Sequence, residues 1–316
     1  MQIVDFTAAH IEQAARIAKQ NYEEERGIVP ALPPIDAVPD LTPFAQNCLG
    51  VAAFDGDTML GFLCCWNPWD GAFGISGLRH VYSPMGANGT VRQNRSKNYA
   101  RLYQAAAEKW VGIGAGSHGI CLYAHDMEGQ TQFFKYGFGM RTVDAIRGMN
   151  EIETPPCDGY TFSELAPEEI LTVLPLGNLH VDGYIESPFF MYREQDSETM
   201  FLKNYQRFQS IYFIAKNEGH PVAYIKAELD GETFIQDTPG YLHCKGLYCL
   251  PEHRRKGLSQ TLLNMLTQKL KTQGYTRLGV DYESFNPSGS GFWQKHFDAY
   301  TFGVVRRIDE NAVRIS

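Results

Sequence analysis

Residues 245–273, KGLYCLPEHRRKGLSQTLLNMLTQKLKTQ, constrain the fold more than any other part of the chain. Residues 246–250 are apolar and predict a strand, which Pro251 ends because proline cannot donate a ladder hydrogen bond. The short basic run His253-Arg254-Arg255-Lys256 follows, closed by Gly257. From there the period becomes helical: Leu258, Leu262, Leu263, Leu266 and Leu270 fall on one stripe, and Gly274 stands where a helix C′ glycine is expected. A strand, a tight basic turn and a helix N-terminus bring free backbone N–H groups and the positive end of the helix dipole to one point. The pattern predicts an anion site, with phosphate as its natural occupant. Neither GxxxxGK[ST] nor GxGxxG occurs in the stretch, so it is not a Walker loop or a dinucleotide fingerprint.

Arg254-Arg255-Lys256-Gly257-Leu258-Ser259 resembles the pyrophosphate loop of the GNAT superfamily of N-acetyltransferases, Q/R-x-x-G-x-G/A after a strand, with Ser259 at the last small position. Downstream, a strand over 277–281 is followed by Asn286 and by Phe292-Trp293-Gln294-Lys295. That segment is similar to the family's N-x-x-A-x-x-F-Y-x-K, with Gly289 for Ala and Trp293 for Tyr. The ordinary alternative is a strand–turn–helix with a solvated basic turn. The resemblance implies an α/β (α+β) fold of mixed, largely antiparallel twisted sheets flanked by helices. It also implies an acyl-CoA-dependent N-acyltransferase that uses acetyl-CoA (coenzyme A). On that basis the backbone of Tyr248, Cys249 and Leu250 bonds the pantetheine arm like an added strand, and the N–H near Leu250 polarises the thioester carbonyl. The pyrophosphate then sits on the N–H groups of Arg254, Arg255, Lys256, Gly257, Leu258 and Ser259; Asn286 bonds the pantetheine arm, and Phe292 joins the cofactor-binding set.

At 316 residues the chain exceeds one usual core, and two domains are expected. The net charge of −8 argues against bulk binding to nucleic acid or to an anionic membrane. The start MQIVDFTAAHIEQAAR lacks a basic region followed by an apolar core, and no apolar run approaches a membrane span, so a cytoplasmic protein is expected. The cysteines 48, 64, 65, 121, 157, 244 and 249 are odd in number and mostly in apolar runs, which predicts reduced thiols rather than disulfides. His118, Cys121 and His125 lack zinc-ligand spacing, and no metal is expected.

The two halves form an internal repeat. Phe133 and Trp293 set the offset at 160 residues (293 − 133), at which Asp126 falls on Asn286, Gly114 on Gly274, Ile120 on Val280 and Lys97 on Gly257. The expected organisation is a degenerate GNAT-like domain over 1–150, a linker over 151–158 with two prolines, and a GNAT-like catalytic domain over 159–316 that binds acetyl-CoA. In the first half, Asp55-Gly56-Asp57 predicts a hairpin turn, and QFFKYGF leads into a final pair of strands expected up to about residue 149. Lys97 in place of glycine, Tyr99 in place of a small residue, Asp126 in place of Asn286 and Phe133, which has no hydroxyl, predict a first domain that keeps the fold without the cofactor.

Transfer needs a neutral amine, so a general base is required, directly or through water. The candidates are His243, Asp281 and Glu283, with a satisfied strand histidine as the ordinary alternative for His243. Trp293 stands where the family has its acidic Tyr, and an indole N–H is not an acid near neutrality. Tyr282 or Tyr300 takes that role, or the thiolate leaves unprotonated, since a thiol pKa of about 8.5 makes it a tolerable leaving group. No nucleophile is evident, a strand-buried Cys249 being usually inert, so direct transfer in a ternary complex is expected. The acceptor is expected to be a primary amine of a small molecule or peptide, walled by residues 165–208, whose GYIESPFFMYRE run could equally serve domain packing. A monomer or homodimer is expected. The alternatives are a non-catalytic acyl-CoA-binding sensor or scaffold, and a transferase to a hydroxyl or with a longer acyl chain.

Overall fold

The computed structural model describes residues 1–71 and 77–315. Its strands are β1 (Gln2–Asp5), β2 (Val51–Asp55), β3 (Thr58–Leu63), β4 (Trp69–Asp70), β5 (Arg79–Ser83), β6 (Asn88–Thr90), β7 (Ser117–Tyr123), β8 (Gly139–Gly148), β9 (Tyr160–Glu164), β10 (Ile211–Asn217), β11 (His220–Glu228), β12 (Tyr241–Cys249), β13 (Arg277–Glu283) and β14 (Asp298–Arg307). Its helices are α1 (Ile11–Ile28), α2 (Thr42–Gln46), α3 (Arg95–Gly112), α4 (Met127–Lys135), α5 (Leu174–Asp182), α6 (Glu198–Phe208), α7 (Leu258–Thr272), α8 (Ser290–His296) and α9 (Glu310–Ile315). Two compact units result: Met1–Asp144 with the residues from Ala299 onward, and Ala145–Asp298. The expected fold class holds, since mixed, mainly antiparallel sheets flanked by helices build each unit.

These units differ from the expected division at two places. Residues 145–158, part of them expected as a linker, pack within the second unit. The last strand, expected to close the second domain, belongs to the first: β14 pairs antiparallel with β7 from Thr301↔Tyr123 to Arg307↔Ser117. Long-range pairing of that kind leaves no mark on local sequence. The pair of strands expected between QFFKYGF and residue 149 is a single strand, because Gly137 turns the chain in the left-handed region (φ 80°) and β8 then runs unbroken from Gly139 to Gly148.

In the first unit β1, β2, β3 and β6 form one sheet, with β2 and β3 joined through the expected Gly56 turn. β5 pairs parallel with β7 from His80↔Ser117 to Ser83↔Ile120. The core packs Leu102, Tyr103, Ala106 and Trp110 of α3 against Ile120, Leu122, Phe133 and Val304. Trp110 donates its indole N–H to the Leu49 carbonyl at 3.0 Å, so even the largest core side chain leaves no polar group unpaired.

The second unit has the strand order β13-β12-β11-β10-β9. All its neighbours are antiparallel except β12 and β13, which are parallel and joined by α7. α5 and α6 cover the face that carries Tyr212, Ile214 and Tyr224. Alternate residues point the other way, toward α7, whose whole leucine stripe is buried. Leu266→Ala should therefore cost about 2–5 kcal/mol of stability, read as the shift of a chemical denaturation curve. A loss below about 1 kcal/mol would contradict this packing.

Candidate functional site

β12 and β13 pair over only four positions, Tyr241↔Arg277 to Cys244↔Val280. On the other side of β12 the register jumps from Ala227↔Cys244 to Lys226↔Gly246, which leaves Lys245 as a bulge residue. A bulge bends its strand and raises the local twist. From Lys245 onward β12 keeps its ladder with β11 and leaves β13, so the two parallel strands open as a fork. Along the fork Lys245, Gly246, Leu247 and Tyr248 are half-buried rather than core. Their backbone groups on the β13 side lack a ladder partner and can take an extended ligand as a strand takes its neighbour.

The turn after β12 lies beyond the open end of the fork. Pro251–His253 forms a 3-10 turn, Arg255 (φ 61°) and Gly257 (φ 82°) adopt the left-handed conformation, and α7 starts at Leu258. Thr261 N–H makes the first helical bond, to the Gly257 carbonyl at 3.0 Å. The N–H groups of Leu258, Ser259 and Gln260 thus have no helical partner, and the alternating conformations make a backbone nest for an anion. Arg254, Arg255 and Lys256 are exposed and pair with no carboxylate among the described residues. Arg254 donates to the Cys249 carbonyl at 3.0 Å, and Lys256 reaches the Tyr160 hydroxyl at 3.1 Å. The 151–158 stretch braces the turn: Ile152 N–H donates to Asn264 at 3.0 Å, and Cys157 Sγ lies 3.3 Å from the Lys256 carbonyl. A Cβ on Gly257 would overlap Pro155, so glycine serves this contact as well as the backbone conformation.

On the α5 face of the fork sits a buried polar chain. His243 is 1 % exposed; its Nε2 lies 2.8 Å from Asp281 Oδ1 and its Nδ1 2.6 Å from the Tyr241 hydroxyl. Lys245 Nζ also reaches Asp281 Oδ1, at 3.3 Å, and contacts Glu232. Burial alone would raise the Asp281 carboxyl, but the His243 hydrogen bond and the Lys245 charge outweigh it and hold the group well below the usual carboxylate range. Nearby, Arg193 bonds Glu283 at 3.0 Å and lies over the Tyr184 ring at 4.7 Å. His180 of α5 stacks on Tyr248 at 5.4 Å and lies 3.2 Å from the Tyr224 hydroxyl.

The structure gathers Tyr248, Cys249, Leu250 and residues 254–259 at the fork and turn, and His243 and Asp281 on one face of it. Tyr282 points to the opposite face from Asp281, as strand alternation requires. Burial raises its hydroxyl, against a hydrogen bond from Gln294 of α8. Trp293 is buried and packs edge-on against Phe292 and Phe297. Tyr300 lies on β14, in the first unit. Burial pushes the Cys249 thiol up to about 11, so it is no thiolate near neutrality. Asn286 spends its carbonyl oxygen on Ser288 and Gly289 N–H at 3.0 and 2.8 Å, which leaves its amide N–H groups as the part able to meet a ligand. Tyr241, Lys245, His180 and Arg193 were not singled out from the sequence. A lysine–glycine pair inside an apolar strand was the one local sign of the bulge.

The first unit's counterpart is filled. α3 begins at Arg95 after left-handed Asn94 (φ 56°), so Asn94 and not Lys97 matches Gly257. α3 has one more N-terminal turn than the offset of 160 implies, while the glycines that end the two helices, Gly114 and Gly274, keep that offset. Ser96 N–H meets the Glu128 carboxylate at 3.5 Å, and Arg95 pairs with Glu24 at 2.7 Å and Asp126 at 3.6 Å. Asn88 closes the gap beside β7 by donating to Ser83 Oγ and the Cys121 carbonyl, both at 3.1 Å. Asp126 caps α4 by accepting from the Gly129 N–H, whereas Asn286 accepts from the Gly289 N–H in the turn before α8.

Residues 181–298, which include the fork, the turn and α8, match the acetyltransferase (GNAT) family model. The chain carries a GNAT acetyltransferase domain. Over 97 % of its length it also shares the fold of a GCN5-related N-acetyltransferase from Sphaerobacter thermophilus, at 12 % identity, 95 % coverage of that chain and a TM-score of 0.59. A glucosamine N-acetyltransferase region of a fungal multi-domain GH3 β-N-acetylglucosaminidase matches 96 % of this chain and 38 % of its own, at 12 % identity and a TM-score of 0.50. No curated protein sequence matches the chain. Among the described residues no helix is long and apolar enough to cross a membrane.

Burial, then the charges of Arg193, Lys226 and Arg254, push His180 down from 6.5 to about 4. The unfolded chain therefore binds this proton more readily, and the stability tied to a neutral His180 is whole above pH 6.5 and lost as pH falls toward 4. His180→Gln should flatten that part of the plot of denaturation midpoint against pH by up to one proton, leaving the share of His118, likewise pushed down to about 4 by burial. An unchanged slope would refute a buried neutral His180.

Proposed function

We propose that the second unit is an acyl-CoA-dependent N-acyltransferase, with acetyl-CoA as donor and a primary amine of a small molecule or peptide as acceptor. The observation that carries this reading is the fork between β12 and β13 continuing into an open backbone nest, inside the segment that matches the family model. The residues present fit the donor: free N–H groups at Leu258, Ser259 and Gln260 beside three cations without a carboxylate partner among the described residues suit a pyrophosphate, and the β13-side backbone of Lys245 to Tyr248, which lacks a ladder partner, suits an extended amide arm. Bound acyl-CoA would supply the thioester carbon that the amine attacks.

The chain's own groups have separable tasks. Arg254 to Ser259 and the Asn286 amide hold the donor; the Leu250 N–H donates to the Val222 carbonyl at 2.9 Å, so the oxyanion role expected of it passes to another N–H along the fork. Asp281 supports the role of proton acceptor better than His243, because both His243 ring nitrogens are engaged and the ring is buried, whereas the Asp281 side chain is 29 % exposed. Its low basicity suits a group that receives the proton as the N–C bond forms rather than one that strips a free ammonium. Tyr282 is the hydroxyl on the α8 side of the fork suited to protonate the departing sulfur. The first unit is read as binding no donor, since Arg95, Glu128 and Asn88 occupy the corresponding positions. The missing hydroxyl at Trp293 favours the second reading, a non-catalytic acyl-CoA sensor or scaffold.

Thiol release from acetyl-CoA and longer acyl-CoAs with a panel of primary amines separates the readings: amine-dependent release is expected, and tight binding without release would leave the sensor. Lys256→Glu is the better probe of the turn, since any side chain at Gly257 meets Pro155. It should weaken coenzyme A binding by about tenfold or more, roughly 1.4 kcal/mol, with an unchanged melting midpoint. Unaltered affinity would put the phosphates elsewhere.

A further inference from the structure

Three side chains converge behind Asp281 with more order than a buried strand face requires. An ionised carboxylate only accepts hydrogen bonds, so the 2.8 Å contact needs the proton on His243 Nε2. In a neutral ring Nδ1 is then the acceptor, and the Tyr241 hydroxyl at 2.6 Å is its donor. Two glycines make room for this pair. A Cβ on Gly279 of β13 would overlap the Tyr241 hydroxyl, and one on Gly231 would come within 3.2 Å of His243 Nδ1. The bulge meanwhile brings Lys245 to the same Asp281 oxygen that His243 uses. Both partners take Oδ1, and among the described residues no hydrogen bond reaches Oδ2.

We infer that Tyr241 is a positioning residue of the transfer site: its hydroxyl fixes His243 as the Nε2–H tautomer, which with Lys245 holds Oδ1 and presents Asp281 Oδ2 to the acceptor amine. This rests on the acyltransferase reading for its catalytic meaning, while the tautomer itself does not. His243 is then a donor to Asp281 and not the base. Lys245, the bulge residue, is the second holder of the carboxylate.

Nitrogen NMR of the histidine rings in the full chain near pH 7.5 tests the arrangement directly. In the parent protein His243 should show a protonated Nε2 and an unprotonated, hydrogen-bonded Nδ1; in Tyr241→Phe it should show exchange between tautomers. With the best amine of the panel, Tyr241→Phe should lower thiol release by about tenfold or more and leave the coenzyme A dissociation constant within about twofold. His243→Gln, whose amide keeps a donor near Nε2, should retain most of the release, and His243→Asn should not. A parent ring protonated at Nδ1, alone or with Nε2, overturns the proposal. So does complete loss of release in His243→Gln, which would make His243 the base. If Tyr241→Phe does not fold, the parent spectrum and the His243→Gln assay still decide. If the parent binds no coenzyme A, the acyltransferase reading fails and the tautomer assignment stands or falls by the spectrum alone.

Discussion

The site depends on one interrupted ladder. Parallel strands joined by a helix normally pair along their shared length, yet β12 and β13 stop after Cys244↔Val280. The cause is local: Lys245 is one residue too many opposite β11 and bends β12 away. An open seam in a sheet leaves N–H and C=O groups that need partners, and the second unit leaves its seam beside a helix N-terminus that no carboxylate fills among the described residues. The first unit closes the corresponding seam with Asn88 and its helix start with Glu128 and Arg95. Whether the position beyond the paired strands is open or filled turns on a handful of side chains.

The legible part of the sequence was the part set by periodicity and by backbone-restricting residues. The leucine stripe of α7, the stop at Pro251, the left-handed Gly257 and the Gly56 hairpin follow from neighbours a few residues apart. The family motif extended that reading from elements to a fold. What escaped depends on partners far along the chain. β14 reads as a strand, but nothing in FGVVRRI says that its partner is β7. Asn94 does the conformational work of Gly257 without being glycine, so an offset taken from aromatic residues put Lys97 in its place.

The candidate site divides in the same way. Its backbone elements were legible because Pro251 and Gly257 restrict the backbone of the turn. Its polar network was half legible: His243 and Asp281 stood out as titratable residues near a strand end, but Tyr241, Lys245 and Gly279 did not. Tyr241 in isolation is a buried aromatic, and Gly279 in isolation is a weak strand residue. They acquire meaning only when the phenol is seen to cross the glycine and meet the imidazole. Likewise Gly257 reads as a phosphate glycine, while its contact with Pro155 shows that it serves the packing of the 151–158 stretch too.

The central claim is that one unit is open to the donor and the other is filled. Calorimetric titration of the full chain with coenzyme A measures this most directly, because it counts sites without knowledge of the acceptor. One site per chain is the expected result, lost when the turn of the second unit carries reversed charge. Two sites per chain, or one site indifferent to that reversal, would contradict the account.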